Sequence, residues 1–205
     1  MKSAKGLLLL SGGFDSPVAG FFAKEKGIQL SAVHFCNYPF TDSSPEEKAR
    51  RLAEKLDLKE LIVINLGPVL KELASSSERK FYFVLMKRLM LRVAEKLAEK
   101  KGIDFLITGE NLGQVSSQTL SNLASIDSSV KIPVLRPLIS FEKQEIIDFS
   151  KKIGTHDISV GPEMCDVLGP DKVAVKSTEK KLIELEKEIN MKELLKDLLN
   201  SNSIK

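Results

Sequence analysis

Apolar positions along this 205-residue chain fall into two kinds of block that alternate from one end to the other. The first kind is short and mostly apolar: Gly6 to Leu10, Ile28 to Phe35, Glu60 to Leu66 with its Leu61-Ile62-Val63-Ile64 centre, Ile103 to Thr108, and Lys131 to Leu135. A short apolar block between turn signals predicts a strand buried on both faces. The second kind repeats at helical spacing. Phe81, Leu85, Leu89, Val93 and Leu97 recur every four positions and predict a long amphipathic helix over Glu78 to Lys100.

Other helices are expected over Pro17 to Lys26, Ser44 to Leu56, Gly67 to Ala74, a segment running to about Ile126, and Phe141 to Ile153. Gly27 and Gly154 suit two of their C-termini, and Ser16, Ser44 and Ser140 are the expected caps. Helices that separate buried strands imply right-handed crossovers and a parallel sheet covered on both faces. The predicted fold is α/β: a doubly wound, parallel, five-stranded sheet over residues 1–175. Leu182, Leu185, Ile189, Leu194, Leu195, Leu198 and Leu199 then predict a helical extension over residues 176–205, begun by Ser177 or Thr178. It is expected to pack on the same core, with an interface helix for a homodimer or partner as the alternative.

Ligands of such sheets bind beyond the carboxyl ends of the strands. Ser11-Gly12-Gly13-Phe14-Asp15-Ser16 falls there, between the first strand and a helix begun at Pro17. A strand, a glycine-rich turn and a helix start surround one point with free N–H groups and a positive dipole end, which makes an anion site. The two glycines admit a phosphate closely, the Ser11 and Ser16 hydroxyls add donors, and the Asp15 carboxylate suits a Mg²⁺ ion. A Walker loop needs Lys where Asp15 stands, and a dinucleotide fingerprint needs a third glycine where Phe14, Asp15 and Ser16 intervene. The loop resembles instead the SGGxDS loop of enzymes that cleave ATP between its α- and β-phosphates.

Composition narrows the class only slightly. Thirty-one basic against 28 acidic residues leave a net charge of +3, too balanced to identify a nucleic-acid protein. No apolar run approaches the ~20 residues of a membrane span and no signal peptide precedes the first strand, so a cytoplasmic location without membrane association is expected. Cys36 and Cys165 stand far apart and make no metal cluster. In a reducing compartment both are expected as thiols.

Four stretches taken together resemble the catalytic domain of tRNA 4-thiouridine synthases, also called tRNA sulfurtransferases or thiamine-biosynthesis sulfurtransferases. They are Ser11 to Ala19, His34-Phe35, Gly109 to Leu120 with its Gly113-Gln114-Val115-Ser116-Ser117-Gln118 run, and Val134 to Ile139. They occur in the family's order across about residues 5 to 170, and the Gly-Gln-Val-Ser-Ser-Gln run is more specific than the phosphate loop. The resemblance implies an adenine nucleotide alpha-hydrolase-like fold of the PP-loop ATP pyrophosphatase type. It also implies adenylation of a uridine C4 oxygen in tRNA, with pyrophosphate release, before a persulfide sulfur displaces AMP to give 4-thiouridine. ATP and Mg²⁺ are the implied cofactors. Leu9, Leu10, Ser11, Gly12, Gly13, Asp15, Ser16, His34, Phe35, Lys87, Gly109 and Gln118 match nucleotide-binding positions, with Asp15 also on the metal and Lys87 approaching a phosphate.

Cys165, in Pro162 to Pro170, matches the family's cysteine-bearing loop and implies sulfur transfer, although Asp166 and Gly169 depart from the usual pattern. Cys36 is expected as an inert thiol, with a resolving partner for Cys165 as the alternative. Arg136 is expected either as a phosphate or RNA contact or in a surface salt bridge. The chain opens on the phosphate loop's own strand, so tRNA is expected to bind through a separate RNA-binding chain. Sulfur is expected from a persulfide donor such as a cysteine desulfurase or rhodanese-type carrier. Two other readings stay open: an ATP pyrophosphatase acting on a different acceptor, and a nucleotide-binding partner subunit that does not turn ATP over.

Overall fold

The computed structural model describes residues 3–112, 118–161 and 168–202. Five parallel strands, β1 (Lys5–Leu9), β2 (Gln29–Cys36), β3 (Leu61–Asn65), β4 (Phe105–Ile107) and β5 (Val134–Leu135), form one sheet in the order β3-β2-β1-β4-β5. The chain builds outward from β1 through β2 to β3, then crosses back to place β4 on the other side of β1. The strand order therefore reverses beside β1, the strand that delivers the glycine-rich loop. Nine helices are described: α1 (Asp15–Glu25), α2 (Ser44–Lys55), α3 (Gly67–Ala74), α4 (Tyr82–Lys101), α5 (Leu120–Asp127), α6 (Lys143–Lys152), α7 (His156–Ser159), α8 (Glu179–Glu188) and α9 (Met191–Ser201).

Neighbouring strand residues serve opposite faces, as the pleat requires. Leu7, Val33 and Leu106 join a core with α3, α4, α8 and α9, whereas Leu8, Ala32 and Ile107 join a second core with α1, α2 and α6. Both faces are covered, as the apolar blocks predict. Phe81, Leu85, Leu89, Val93 and Leu97 are all buried, and Gly102, with φ of 62°, ends α4 in the left-handed region that glycine adopts at little cost.

Several boundaries move for local reasons. Ser16 lies inside α1 rather than capping it; Phe14 holds the cap position, and Phe offers no capping oxygen. Ser43, not Ser44, precedes α2, and Asp42 accepts from both Ser44 N and Ser44 Oγ. Glu142 and Glu145 form the capping box of α6, displacing Ser140. A 3₁₀ turn over Arg79–Phe81 delays α4 to Tyr82. The fifth strand shortens to two residues because the Glu95 carboxylate takes the N–H groups of Lys131 and Ile132, and Pro133 has none to give.

The expected helical extension is two helices that meet at Asn190, which sits at φ of 51°. Thr178 caps the first by accepting from Lys181 N. Leu182, Leu185, Ile189, Leu194 and Leu198 are buried in the core that α4 organises. Arg88, only 1% exposed, reaches from α4 to Glu186 on α8 (2.6 Å), to the Ser125 carbonyl and to Ser128 Oγ (3.1 Å); Arg92 joins the same carboxylate at 2.8 Å.

Candidate nucleotide site

Beyond the carboxyl ends of β1 and β2 the chain forms a pocket. Leu9 to Gly13 make one wall and His34 to Asn37 a second; Thr41, Pro45, Lys48 and Met90 close the rest. Of the residues expected at a nucleotide, the structure gathers Leu9, Leu10, Ser11, Gly12, Gly13, His34 and Phe35 around this one cavity. Parallel pairing explains why: β1 and β2 run in register from Lys5↔Gln29 to Leu9↔Val33, so their ends emerge together.

The loop is held in shape by its own hydroxyls. Ser11 N donates to Ser16 Oγ at 2.8 Å, the two hydroxyls lie 3.0 Å apart, and Gly13 N donates to Ser11 Oγ at 3.3 Å. Ser16 is buried, so its hydroxyl acts as the pin that closes the loop rather than as a surface donor. Gly109 stands directly behind that pin. A Cβ there would lie 2.5 Å from Ser16 N and 2.7 Å from the Asp15 carbonyl carbon, so only glycine lets the end of β4 approach the loop.

His34 ties the two strand ends together. Its Nδ1 lies 2.9 Å from the Leu10 carbonyl, an acceptor, so Nδ1 carries the hydrogen and Nε2 is left as an acceptor. Burial lowers the imidazole pKa, against the smaller opposing pull of the Leu10 carbonyl, and the ring is neutral at pH 7. His34 Nε2 and Thr41 Oγ1 are buried in the wall without a partner among the described residues. Buried polar atoms in that state are open to a bound ligand or water. Cys36, on the same wall, is a free thiol whose pKa burial pushes up, so it is protonated at neutral pH as expected of an inert cysteine.

Lys87 and Gln118 are not part of this wall. Lys87 Nζ pairs with Glu110 Oε1 at 2.7 Å, and the Gln118 side-chain oxygen accepts from Asn111 N at 3.0 Å. Arg136 is neither a surface pair nor free for phosphate. Its side chain is 9% exposed, donates to Glu110 Oε2 at 2.8 Å and grips Asp127 with both terminal nitrogens at 2.9 and 2.7 Å. Burial alone would raise the Glu110 carboxyl, but the Lys87 and Arg136 charges outweigh it and hold the pKa at about 2. This cluster braces the segment after β4 and, through Gly109, the back of the loop.

Among the described residues no three acidic, histidine or cysteine side chains could hold a metal together. The loop offers the single carboxylate of Asp15 in the first turn of α1. That donor set fits Mg²⁺ arriving on a polyphosphate, since Mg²⁺ takes one or two carboxylates and fills its octahedron with phosphate oxygens and water. Cys165 and the Gly113 to Ser117 run lie outside the described residues. The stem leading to Cys165 is described, and it rests on the loop: Ser159 Oγ donates to the Gly13 carbonyl at 3.1 Å, and His156 lies against Phe14 with ring centres 5.3 Å apart. Lys48, Thr41 and Met90 escape a reading of motifs because each stands alone on a helix or loop.

The family model described as thiamine biosynthesis protein (ThiI) matches residues 1–191. A probable tRNA sulfurtransferase of Nocardia farcinica is 42% identical over 203 residues, covering 96% of this chain and 50% of the relative. Another from Moorella thermoacetica is 38% identical and covers 98% of this chain and 53% of its own length. The chain thus spans about half the length of the curated relatives it matches. The crystal structure of a 4-thiouridine synthetase in complex with RNA, with ATP bound, superposes with a TM-score of 0.92 at 38% identity, over 97% of this chain and 54% of that one. The NMN synthetase of Francisella tularensis, with a TM-score of 0.60 at 17% identity over 92% of this chain, shares the fold alone. Among the described residues no helix is long and apolar enough to cross a membrane.

Proposed function

The chain belongs to the thiamine biosynthesis protein (ThiI) family, and from that premise we propose that it carries the ATP-dependent step of tRNA thiolation. In this reading a uridine C4 oxygen attacks the α-phosphorus of ATP as N3 gives up its proton, pyrophosphate leaves, and the outer sulfur of a carrier persulfide then displaces AMP at C4, leaving a C4–S–S–carrier adduct. A carbonyl oxygen leaves poorly until it is esterified to phosphate. Most of the work of the site is therefore to hold a polyphosphate and favour its departure.

The observation that carries the reading is the hydrogen bond from Ser159 to Gly13. It seats Ser159, six residues before Cys165 in sequence, on the phosphate loop, which supports a reading that joins sulfur transfer to adenylation. Ser11, Gly12 and Gly13 supply backbone N–H groups to the phosphates, and the dipole of α1 favours their charge. The ends of β1 and β2, with Leu9, Leu10, His34 and Phe35, take the adenosine. Asp15 would hold the Mg²⁺ that the nucleotide brings, and the ion would supply positive charge to the departing pyrophosphate. Lys87 and Gln118 reach the nucleotide only by exchanging their present partners, Glu110 and Asn111 N, for it. The Cys165 thiolate then attacks the carrier-side sulfur of the C4–S–S–carrier adduct; that S–S bond breaks with its electron pair on the C4-bound sulfur, 4-thiouridine is released, and the Cys165–carrier disulfide that forms is reduced by an external thiol. RNA recognition comes from outside this α/β unit, and sulfur from a persulfide carrier.

The test supplies the chain with tRNA, an RNA-binding partner and a persulfide donor, and follows pyrophosphate, AMP and 4-thiouridine together. The three are expected in equal amounts. Asp15→Ala abolishes all of them; Cys165→Ser abolishes 4-thiouridine while pyrophosphate still forms. Unthiolated tRNA under these conditions refutes the reading, as does full activity of Asp15→Ala.

A further inference from the structure

Lys48 projects from α2 into the nucleotide pocket, and nothing in the motif pattern marks it. Its stem packs on the phosphate loop: a Cβ on Gly12 would meet Lys48 Cδ at 3.4 Å and its Cβ at 3.6 Å. Its ammonium lies 3.2 Å from where a Cβ of Gly161 would stand, just before the Cys165 segment. The side chain is half-buried. No acidic partner meets it among the described residues.

Its neighbours on α2 are paired. Glu46 takes Arg50 at 2.6 Å, and Glu47 accepts from Ser43 Oγ at 2.6 Å. Across the fold Lys87 has its charge met by Glu110 at 2.7 Å. A lysine ammonium with no counter-charge gains from an anion delivered to it. The loop beside it is built to bring one.

We propose that Lys48 is the cation that contacts the β- and γ-phosphates of ATP and stabilises pyrophosphate as it leaves. The inference rests on the adenylation reading above and adds to it a catalytic residue. As the acceptor oxygen bonds to the α-phosphorus, the bond from that phosphorus to the α–β bridging oxygen breaks, and its electron pair stays on the bridging oxygen. Negative charge grows there and spreads over pyrophosphate. Lys48 meets it with N–H donors and keeps its own protons, so no proton balance changes. Because the charge it answers lies beyond the α-phosphate, Lys48 discriminates ATP from AMP.

The experiment measures ATP and AMP affinity by calorimetry for the wild-type chain and for Lys48→Gln and Lys48→Arg. Loss of one charge-assisted contact predicts roughly tenfold to hundredfold weaker ATP binding by Lys48→Gln. AMP binding should stay within about twofold of wild type, since AMP lacks the phosphates concerned. Lys48→Arg should recover most of the ATP affinity. The AMP arm also reports that the variant is folded and its adenosine site intact. Undiminished ATP binding by Lys48→Gln overturns the proposal, and so does an equal loss for both nucleotides. A wild-type chain that binds neither nucleotide overturns the adenylation reading and this inference together; a wild-type chain that binds ATP with an unchanged Lys48→Gln variant overturns this inference alone.

Discussion

Glu110→Gln isolates the buried charge cluster behind the phosphate loop. The carboxyl sits between Lys87 at 2.7 Å and Arg136 at 2.8 Å, with its side chain 12% exposed. Its pKa falls from an ordinary 4.5 to about 2, although burial pushes the other way. At about 1.4 kcal/mol per pH unit, that difference corresponds to about 3 kcal/mol favouring the folded state when the group is ionised. The carboxyl pKa is depressed by folding, so this contribution is complete above pH 4.5 and is lost as pH falls toward 2. Glutamine keeps the shape, removes the charge and leaves Lys87 and Arg136 facing each other. The expected loss at pH 7 is about 3 kcal/mol, near the lower end for breaking a buried pair. Urea unfolding of both proteins from pH 7 down to pH 2 measures it. The wild type should lose stability more steeply than the variant between pH 4.5 and 2, and the two should converge at the acid end. A loss under about 1 kcal/mol at pH 7, as for an exposed pair, or a gap that does not close in acid, refutes the account.

Two further outcomes follow from backbone contact and from charge. Gly109→Ala places a methyl 2.5 Å from Ser16 N and 2.8 Å from Ser16 Cα; backbone cannot rotate aside, so about 1–3 kcal/mol of stability is expected to go with the strain. ATP should then raise the melting temperature less than in wild type, and an unchanged ATP-induced shift would contradict the close approach. Glu186→Gln should cost more than Arg88→Met, because the first leaves Arg88, 1% exposed, without a counter-charge, while the second leaves Glu186 still paired with Arg92 at 2.8 Å. The costs are expected at about 5 and about 3 kcal/mol in urea unfolding, and the reverse order would overturn the assignment.

Much of the fold is legible in the sequence because it rests on short-range chemistry. Leu7 to Leu10 has to be a buried strand, and Gly12-Gly13 after it has to be a turn that admits something close. The misplacements share one cause. Ser16, Ser44 and Ser140 each carry a hydroxyl suited to a cap, yet the Ser11–Ser16 pin, the Asp42 carboxylate and the Glu142–Glu145 box settle those boundaries. Local propensity offers candidates, and partners two to five residues away choose among them. Longer-range pairs leave no local trace. Arg88 looks like a surface residue of a charged helix until Glu186, 98 residues later, closes over it. The same holds for Lys48, one of several charged residues on α2, whose position over Gly12 exists only once the loop and the helix have packed.

Helix α4 behaves as a two-faced lever. One side offers Met90 to the nucleotide pocket and Lys87 to Glu110; the other fastens Arg88 and Arg92 to α8. Ligand-side and tail-side chemistry are thus bolted to one rigid rod, with no loop between them to absorb a shift. No residue of α8 or α9 lines the pocket, yet both helices pack on the rod that does. For anyone excising this unit for transfer to another protein, the cut belongs after α9, since a shorter piece would carry the loop but lose the ballast that keeps it aimed.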